Sequence, residues 1–353
     1  MDTLTQIALG ACIGQAIGYR KFGAKALVFG GLGGLIPDLD VFLTPFMGEH
    51  ATWKYHRHFT HALWFGPVLG SMMGWGLWRY YGRQIGHLWP WMAIMVLSLF
   101  THPLLDFCTI YGTQLLAPFS NHRFEIAAVS IIDPIYTLPL IIMMAFVFLK
   151  KCKPYAEQMA IGALIFTTTF LIFGWYQNFR AEKIAAAQLK EQNIVYQKLE
   201  SFTTIFQPFL RRIVVTENER VRVGFVSTFN PQKIYWTCRK NIDDKIIKAI
   251  LATNDAQVFQ WFTGDRVSFA TGKNQNEYLL TDLRYGVEGE NIFRWWGQIF
   301  SVSQNNDGQL TADYVAPLSI ERNADGEIIK NLFQAAYGMD NNLLNKADKG
   351  CPI

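Results

Sequence analysis

Long apolar segments separated by short polar stretches fill the chain from Met1 to about Tyr176. Three of them approach the roughly 17 to 25 residues that a helix needs to cross a bilayer, and a fourth is close to the lower limit. Two shorter segments precede them, and the second is short enough for a partial span. The segments are residues 3–19, 26–36, 61–78, 88–107, 133–149 and 159–176. The pattern predicts an α-helical membrane domain over residues 1–176, with about five transmembrane or partial spans.

The pattern changes after Tyr176, where charged residues reach the density of an ordinary soluble protein. Helix-forming residues over 180–200 predict a connecting helix, which we place at 177–205. Alternation of apolar and polar residues at 221–229, in parts of 257–269 and at 277–283 predicts strands. We therefore expect a small soluble α+β domain over residues 206–353.

Glycines recur at every fourth position in several of the apolar segments. The series are Gly10, Gly14 and Gly18, then Gly30 and Gly34, then Gly66, Gly70 and Gly74. Such ridges let helix backbones approach closely where lipid supplies no hydrophobic drive for association. Glycine is also simply common in membrane helices, but three separate series favour close packing of these helices.

Composition supports a membrane domain and excludes some classes of function. Of all residues 50% are hydrophobic and 17% charged, against roughly 25% charged in soluble domains. The net charge of +4 is small and the basic residues are scattered, so specific nucleic-acid binding is not indicated. The five cysteines include no C-x-x-C pair, so neither a disulfide framework nor a thiolate zinc site is indicated. The amino terminus lacks the basic region of a signal peptide, and we expect the first segment to be retained.

Lys and Arg cluster at one end of the predicted spans, and acids and histidines at the other. The basic loops contain Arg20, Lys21 and Lys25, then Arg79 and Arg83, then Lys150, Lys151 and Lys153. Because basic loops lie on the cytoplasmic side, the opposite ends of the spans are predicted to be extracytoplasmic. Those ends carry Asp2, Asp38, Asp40, His56, His61, His102, Asp106 and Asp133. The segment after Tyr176 then emerges on the same side.

Ionisable residues stand in three tight groups among the apolar segments, where such residues are costly unless they have a function. The groups are Asp38 with Asp40, His56 to His61, and His102 with Asp106. His102 and Asp106 are four residues apart, so they share one helix face. Pro37 permits a break that turns both neighbouring carboxylates toward one centre. Mixed carboxylates and imidazoles suit one or two ions of the zinc or manganese class.

Each group taken alone also has a structural interpretation. His102 and Asp106 could form a hydrogen-bonded pair in a packed bundle, and the Asp-x-Asp pattern is common in solvated loops. Arg57 would orient a phosphate or carboxylate with its planar guanidinium, or else reach the lipid headgroups. Thr60 would cap the helix that follows it. Taken together, the groups predict a metal site, at which hydrolysis at neutral pH becomes accessible.

An ordered set of motifs resembles the LexA-regulated, membrane-bound metal-dependent hydrolases, the YdjM-like family. The set is Met1-Asp2-Thr3-Leu4-Thr5-Gln6, Pro37-Asp38-Leu39-Asp40, His56-Arg57-x-x-Thr60-His61, His102-x-x-x-Asp106, Tyr111-Gly112-Thr113 and Ile132-Asp133-Pro134. Residues 281–286, Thr-Asp-Leu-Arg-Tyr-Gly, with Trp-Phe-Thr at 261–263, are similar to longer members that carry an extra C-terminal domain. Many relatives have His at the position of Gln6. Gln is a poor metal ligand, so an amino-terminal contribution to the site would rest on Asp2.

The resemblance implies a hydrolase similar to zinc-dependent phospholipase C and P1-type nucleases, with one to three zinc ions or with manganese. By that similarity the metal ligands are Asp38, Asp40, His56, His61, His102 and Asp106, with Asp2 in addition. The expected catalytic residues are Arg57, Thr60 and Asp133. Arg57 would orient the phosphate, and Asp133 or Asp40 would accept a proton.

We expect a multi-pass protein of the bacterial inner membrane that hydrolyses a phosphoester of a lipid or lipid-linked phosphate at an extracytoplasmic site. Its partners are then the lipid bilayer and that substrate, and its oligomeric state is left open. One alternative is a transporter or metal-responsive membrane protein, since transporters also place acids and histidines in broken helices. Another is a membrane anchor for a C-terminal domain that binds envelope proteins, with Trp261, Trp295 and Trp296 as its large aromatic residues.

Overall fold

A computed structural model describes residues 1–48, 50–82, 87–149, 151–286, 296–318, 326–339 and 351. The chain divides into two compact units. The first, here called the membrane unit, comprises Met1–Tyr176 and Ile205–Gln207, and the second, the C-terminal unit, comprises Gln177–Thr204 and Pro208–Ile353. Arg83, Lys150 and Trp295, which the sequence analysis used, lie outside the described residues.

The membrane unit is built of helices joined by short turns. The helices are α1 (Thr3–Phe22), α2 (Ala24–Leu35), α3 (Ala51–Tyr55), α4 (Phe65–Leu77), α5 (Leu88–Phe107), α6 (Pro134–Phe146) and α7 (Ala156–Glu191), whose part after Tyr176 belongs to the C-terminal unit. Segments of 3-10 helix follow α2 at Ile36–Phe42 and Thr44–Phe46 and precede α4 at Phe59–His61. These 3-10 segments place polar residues at the helix ends.

Glycine lets neighbouring helices of this unit approach backbone to backbone. A Cβ at Gly14 of α1 would overlap the carbonyl oxygen of Ala26 in α2. A Cβ at Gly70 of α4 would lie 2.6 Å from the Cα of Val96 in α5, closer than any real side chain comes. The close packing predicted from the glycine series is therefore confirmed for both helix pairs.

Two of the described helical segments, Leu88–Phe107 and Lys153–Glu191, are long and apolar enough to cross a membrane. The first coincides with the predicted segment 88–107, and the second contains the predicted segment 159–176. Other predicted segments form shorter helices, since α2 has 12 residues and α4 and α6 have 13 each. The count of about five spans stays a prediction.

The C-terminal unit contains two four-stranded antiparallel sheets, in the orders β1-β2-β3-β4 and β5-β6-β7-β8. The strands are Lys198–Thr203, Leu210–Thr216, Arg220–Ser227, Thr237–Lys240, Val267–Thr271, Glu277–Asp282, Gly297–Gln304 and Leu310–Pro317. Helices α8 (Asp244–Leu251), α9 (Asn254–Thr263) and α10 (Gly326–Ala336) accompany them. Ala181, Ala185 and Leu189 of α7 pack against Ile213 and Val226 of the first sheet. The predicted α+β character is confirmed.

Three sequence predictions for this unit need correction. The helix predicted over 177–205 ends at Glu191 as the last part of α7, and β1 follows at Lys198. Of residues 257–269, predicted in part as strand, 257–263 belong to α9, because Val258, Phe259 and Phe262 bury one helical face, whereas 267–269 lie in β5 as predicted. Cys238 and Cys351, which are 113 residues apart, form a disulfide that the cysteine spacing did not indicate.

Candidate metal centre

Four of the predicted ligands meet at one end of the membrane unit. Asp38 lies in the 3-10 segment after α2, His61 in the 3-10 turn before α4, and His102 and Asp106 in the last two turns of α5. One potential ligand atom from each residue lies within 4.8 Å of all the others. The side chains of His61, His102 and Asp106 are fully buried, whereas that of Asp38 is 12% exposed. Asp38 is therefore the outward-facing member of the cluster.

A carbonyl group of α2 orients the His102 ring. Helix α5 continues through Pro103, so His102 and Asp106 share one face. His102 Nδ1 lies 2.6 Å from the carbonyl oxygen of Gly34, one of the last carbonyls of α2. A carbonyl oxygen can only accept, so we assign the proton of the neutral ring to Nδ1. The lone pair of Nε2 then points into the cluster.

Thr60 orients the His61 ring in a similar way. The Thr60 hydroxyl donates to Asp40 Oδ2 at 2.8 Å, which leaves its oxygen to accept from His61 Nδ1 at 2.9 Å. The lone pair of His61 Nε2 therefore also points into the cluster. The prediction that Thr60 caps the following helix is wrong, because α4 begins at Phe65 with Trp64 at its N-cap.

When both rings are neutral, as assigned above, the atoms that face one another in the cluster are all electron-rich. The two imidazole Nε2 atoms lie 3.1 Å apart. His102 Nε2 lies 3.3 Å from Asp38 Oδ1, and His61 Nε2 lies 3.2 Å from Asp106 Oδ2. Asp106 Oδ2 is buried, and its charged neighbour is Arg57, whose Nε lies 3.0 Å away. Lone pairs at these distances repel unless a cation or a proton lies among them.

The separations fit a zinc-sized ion. Nitrogen and oxygen ligands bind zinc at about 2.0–2.1 Å, so neighbouring ligand atoms of a tetrahedral site lie about 3.3 Å apart. Five contacts between the ligand atoms bracket that value. They run from 3.1 Å between the two Nε2 atoms to 3.7 Å between His102 Nε2 and Asp106 Oδ2. Two imidazoles and two carboxylates are also the donor types that zinc and manganese accept.

The Asp40 carboxylate is held by hydrogen-bond donors. Burial raises the pKa of Asp40, but hydrogen bonds with His56 and His61 lower it below the ordinary range. Carboxylates must be deprotonated to bind a metal, which ionised acids at this position satisfy.

Asp40 and His56, both predicted as metal ligands, pair with each other beside the four-residue cluster. His56 Nδ1 lies 2.8 Å from Asp40 Oδ1, while Asp40 Oδ2 accepts from Thr60 Oγ1 and from the backbone N–H of Arg57. Both carboxylate oxygens are thus used to hold neighbouring groups. The side chain of His56 is 19% exposed, at the outward edge of the site. Direct metal binding by either residue stays a prediction.

Arg57 is buried against Asp106, although the sequence predicted a contact with substrate phosphate. Its Nε lies 3.0 Å from Asp106 Oδ2, Nη1 donates to Thr109 Oγ1 at 3.2 Å, and the guanidinium stacks on the Tyr111 ring. In this structure it balances the charge of a cluster residue. Its backbone has a φ of 63°, a left-handed conformation that costs about 1–3 kcal/mol and often marks a functional site. A catalytic role of Arg57 stays a prediction.

Gln6 contacts the site, although glutamine was expected to be a poor metal ligand. Its Nε2 donates to Asp106 Oδ1 at 3.1 Å and to the carbonyl oxygen of His102 at 3.2 Å, and the side chain is buried. The amino group of Met1 also contacts Asp106 Oδ1. Gln6 therefore supports two ligand-bearing positions of α5 without being a good ligand itself. Its place in the amino-terminal motif was the signal that could have revealed this.

Asp2 and Asp133 cap helices. Asp2 accepts from the backbone N–H and the hydroxyl of Thr5 at the start of α1. Asp133 accepts from the backbone N–H groups of Ile135 and Tyr136 at the start of α6. An acid followed by Pro134 is a typical helix start that the sequence already contained. The roles predicted for these carboxylates, metal ligand and proton acceptor, stay predictions.

The family model described as YdjM inner membrane protein matches residues 1–181, which contain every residue discussed above. The chain belongs to this family. The family resemblance predicted from the ordered motifs is therefore confirmed. The description of the family as an inner membrane protein also agrees with the predicted membrane location.

The chain is also similar to curated relatives within and beyond the YdjM region. It is 25% identical to the uncharacterized protein YfhP of Bacillus subtilis (strain 168) over 324 residues, which cover 83% of this chain and 89% of that protein. It is 27% identical to the inner membrane protein YbcI of Escherichia coli (strain K12) over 167 residues, which cover 46% of this chain and 87% of that protein. No solved structure matches the chain significantly. The YfhP similarity is long enough to extend into the C-terminal unit.

Proposed function

We propose that the chain is a membrane-bound metal-dependent hydrolase that cleaves a phosphoester of a lipid or lipid-linked phosphate. The observation that carries the proposal is the pair of Nε2 atoms of His61 and His102, which face each other at 3.1 Å. Hydrogen bonds at both Nδ1 atoms turn lone pairs toward this gap, and carboxylates of Asp38 and Asp106 border it. A divalent cation relieves the repulsion, and zinc or manganese suits these donors.

The residues around the cluster would hold its ligands in place. The ion would bind to Asp38, His61, His102 and Asp106. When bound, an ion of this class supplies Lewis acidity, which polarises a phosphoryl oxygen and makes water more acidic. Gly34 and Thr60 fix the two rings, and Arg57 and Gln6 fix the Asp106 carboxylate, as outer residues do in metal sites.

The Asp40–His56 pair is suited to moving the proton in this reaction. In phosphoester hydrolysis the oxygen of water bonds to phosphorus while the ester P–O bond breaks, and one proton of the water ends on the leaving oxygen. Asp40 accepts from His56 Nδ1, which leaves Nε2 to take that proton and return it. The His56 ring centroid lies 5.8 Å from that of His61, so the transfer would occur at the edge of the cluster.

We further propose that the site and the C-terminal unit are extracytoplasmic. Helix α1 contacts the site through Gln6 and ends with Arg20 and Lys21, and α4 begins after His61 and is followed by Arg79. The basic side chains and the metal site thus lie at opposite ends of the same helices, as the positive-inside rule predicts. The Cys238–Cys351 disulfide adds support, because disulfides persist in oxidising compartments. A periplasm-dependent reporter fused after Ile353 should be active, and an inactive fusion would reverse the orientation.

The function is tested on the full chain, purified in detergent and assayed with phospholipids and nucleotide phosphoesters before and after removal of metal. We expect hydrolysis that chelation abolishes and that zinc or manganese restores. His102→Ala should abolish it, whereas His87→Ala, an exposed histidine just before α5, should not. Stoichiometric metal without hydrolysis, together with metal uptake into proteoliposomes, would favour a transporter instead.

The anchor hypothesis is tested separately. A chain that ends after Arg180 keeps the whole cluster, so on the hydrolase proposal it should retain metal-dependent activity. Loss of activity in a truncated protein that still binds metal would instead favour the hypothesis that the membrane unit is an anchor and that the C-terminal unit carries the function.

A further inference from the structure

The 3-10 stretch that carries Asp38 and Asp40 also carries an unusual set of exposed apolar side chains. We call this set the apolar collar: Leu39, Val41, Phe42, Leu43, Phe46 and Met47. Phe42 is 69% exposed and Phe46 is 88% exposed. Asp40 is the one charged residue within residues 39–47, and it is buried, with its carboxylate turned toward His56 and Thr60. The outward surface of the stretch is therefore apolar.

The collar is continuous with the accessible edge of the metal centre. Asp38, the partly exposed member of the cluster, directly precedes Leu39, and His56 is the partly exposed member of the Asp40 pair. Thr3 at the start of α1 donates to Asp38 Oδ2, and the next residue, Leu4, is itself 60% exposed. A molecule that reaches the cluster past Asp38 thus passes between apolar side chains.

The position of the collar differs from that of the other exposed apolar residues of the membrane unit. Residues such as Met72 and Ile165 lie along helices, where lipid tails are the expected neighbours. The collar lies beyond the end of α2, where a loop in water would carry polar side chains. Phe and Leu side chains on one face are typical of segments whose apolar face sinks into the boundary between headgroups and acyl chains.

We propose that the apolar collar is immersed in the lipid leaflet on the side of the metal centre, and that the site receives its substrate from that leaflet. This inference rests on the proposed function for its second part. The substrate would be a lipid whose phosphoester lies at headgroup depth, beside Asp38, while its apolar chain stays in the membrane next to Phe42 and Phe46. If the lipid enters laterally from the leaflet, its apolar chain never has to be transferred into water, which would be unfavourable.

The immersion is tested without any activity assay. The full chain carrying Phe46→Cys and Cys152→Ser is labelled with a nitroxide and placed in phosphatidylethanolamine–phosphatidylglycerol vesicles. Cys12 and Cys108 are buried and remain unlabelled. Val315→Cys, at an exposed apolar position of β8, is the matched control. We expect the label at position 46 to collide mainly with oxygen, which concentrates in lipid, and the label at 315 mainly with a water-soluble nickel complex.

Two outcomes would overturn the immersion. Equal access of the nickel complex at positions 46 and 315 would show that the collar lies in water. A label at 46 that neither reagent reaches would show that protein covers the collar.

The delivery of substrate is tested with Phe42→Ser combined with Phe46→Ser. We expect hydrolysis of a phospholipid in vesicles to fall about tenfold or more, because two apolar anchors are lost, while hydrolysis of a water-soluble short-chain phosphoester stays unchanged. Equal rates on both substrates in the variant and the unmodified protein would overturn lateral delivery. If no phosphoester is hydrolysed even by the unmodified protein, the proposed function fails, and the nitroxide result still decides whether the collar is immersed.

Discussion

Both units of the protein bury charged side chains, but they satisfy them differently. In the C-terminal unit Asp282 accepts three side-chain hydrogen bonds from Arg284, two from Nε at 3.0 and 3.1 Å and one from Nη2 at 2.7 Å, so the pair is complete within the protein. In the membrane unit Arg57 and Gln6 hold Asp106, but potential ligand atoms of Asp38, His61, His102 and Asp106 still converge within 4.8 Å of one another. Breaking a closed pair destabilises a fold, whereas convergent ligand atoms leave room for an ion. The comparison supports the membrane unit as the place of the proposed chemistry.

The largest effect that separates the two regions is expected from His102→Ala. The variant removes one of the two facing lone pairs, so metal content and hydrolysis should fall more than about 100-fold. Removal of a residue that only hydrogen-bonds a ligand typically costs about 10- to 100-fold, and removal of the ligand itself should cost more. Elemental analysis and the phosphoester assay measure both quantities. His87→Ala provides the matched histidine deletion, and equal losses in the two variants would contradict the assignment.

The converse experiment breaks the closed pair. Asp282→Asn should lower the free energy of unfolding of the C-terminal unit by about 3–5 kcal/mol, since the Arg284 guanidinium is left buried without its carboxylate. Urea unfolding followed by tryptophan fluorescence measures the change. Metal content of the folded variant should be unchanged. If Asp282→Asn leaves stability unaltered but removes metal, the roles that we assign to the two buried acids are reversed.

A smaller effect is expected from a residue that orients a ligand. Thr60→Val keeps the shape of the side chain but removes the hydroxyl that joins His61 Nδ1 to Asp40. Metal affinity should fall about 10- to 100-fold, measured by competition with a chromogenic chelator. Thr169→Val is the matched control, because the Thr169 hydroxyl bonds to the carbonyl of Ile165 in its own helix. An affinity equal to that of the control would show that His61 needs no such support.

The smallest effect is expected at Gln6, where the family resemblance suggested histidine. Gln6→His places an imidazole beside Asp106 Oδ1, where Gln6 Nε2 now donates. Metal affinity should change by less than about tenfold, since the four ligands are already present and imidazole is also a compatible neighbour. A loss as large as that of His102→Ala would mean that the Gln6 amide is essential to the site.

Two of the longer apolar segments could be predicted as helices from the sequence, because bilayer thickness imposes a length on such segments. Helix α5 has the predicted bounds, and the residue spacing placed His102 and Asp106 on one face. The directions of the side chains in the 3-10 segments were harder to predict from the sequence. Asp38 and Asp40 differ by two residues, and whether each carboxylate faces the cluster or its neighbour depends on contacts with His56 and Thr60 from a distant part of the chain.

The remaining differences have physical causes of two kinds. Some signals were local but ambiguous, as with Asp133, whose position before Pro134 indicates a helix cap as much as a catalytic acid. In α9 the apolar residues Val258, Phe259 and Phe262 suit a helix face, although a short window also resembles a strand. Other features are non-local. The Cys238–Cys351 disulfide and the support of α5 by Gln6 join positions about 100 residues apart, which spacing rules do not reach.

The central claim is that Asp38, His61, His102 and Asp106 hold a metal ion. X-ray absorption at the metal edge, recorded on the purified full chain after incubation with zinc and removal of excess ion, tests it most directly. The account predicts bound zinc with a first shell of nitrogen and oxygen atoms at about 2.0–2.2 Å, including imidazole. A folded protein that retains no metal, or a first shell that contains cysteine sulfur at about 2.3 Å, would contradict it.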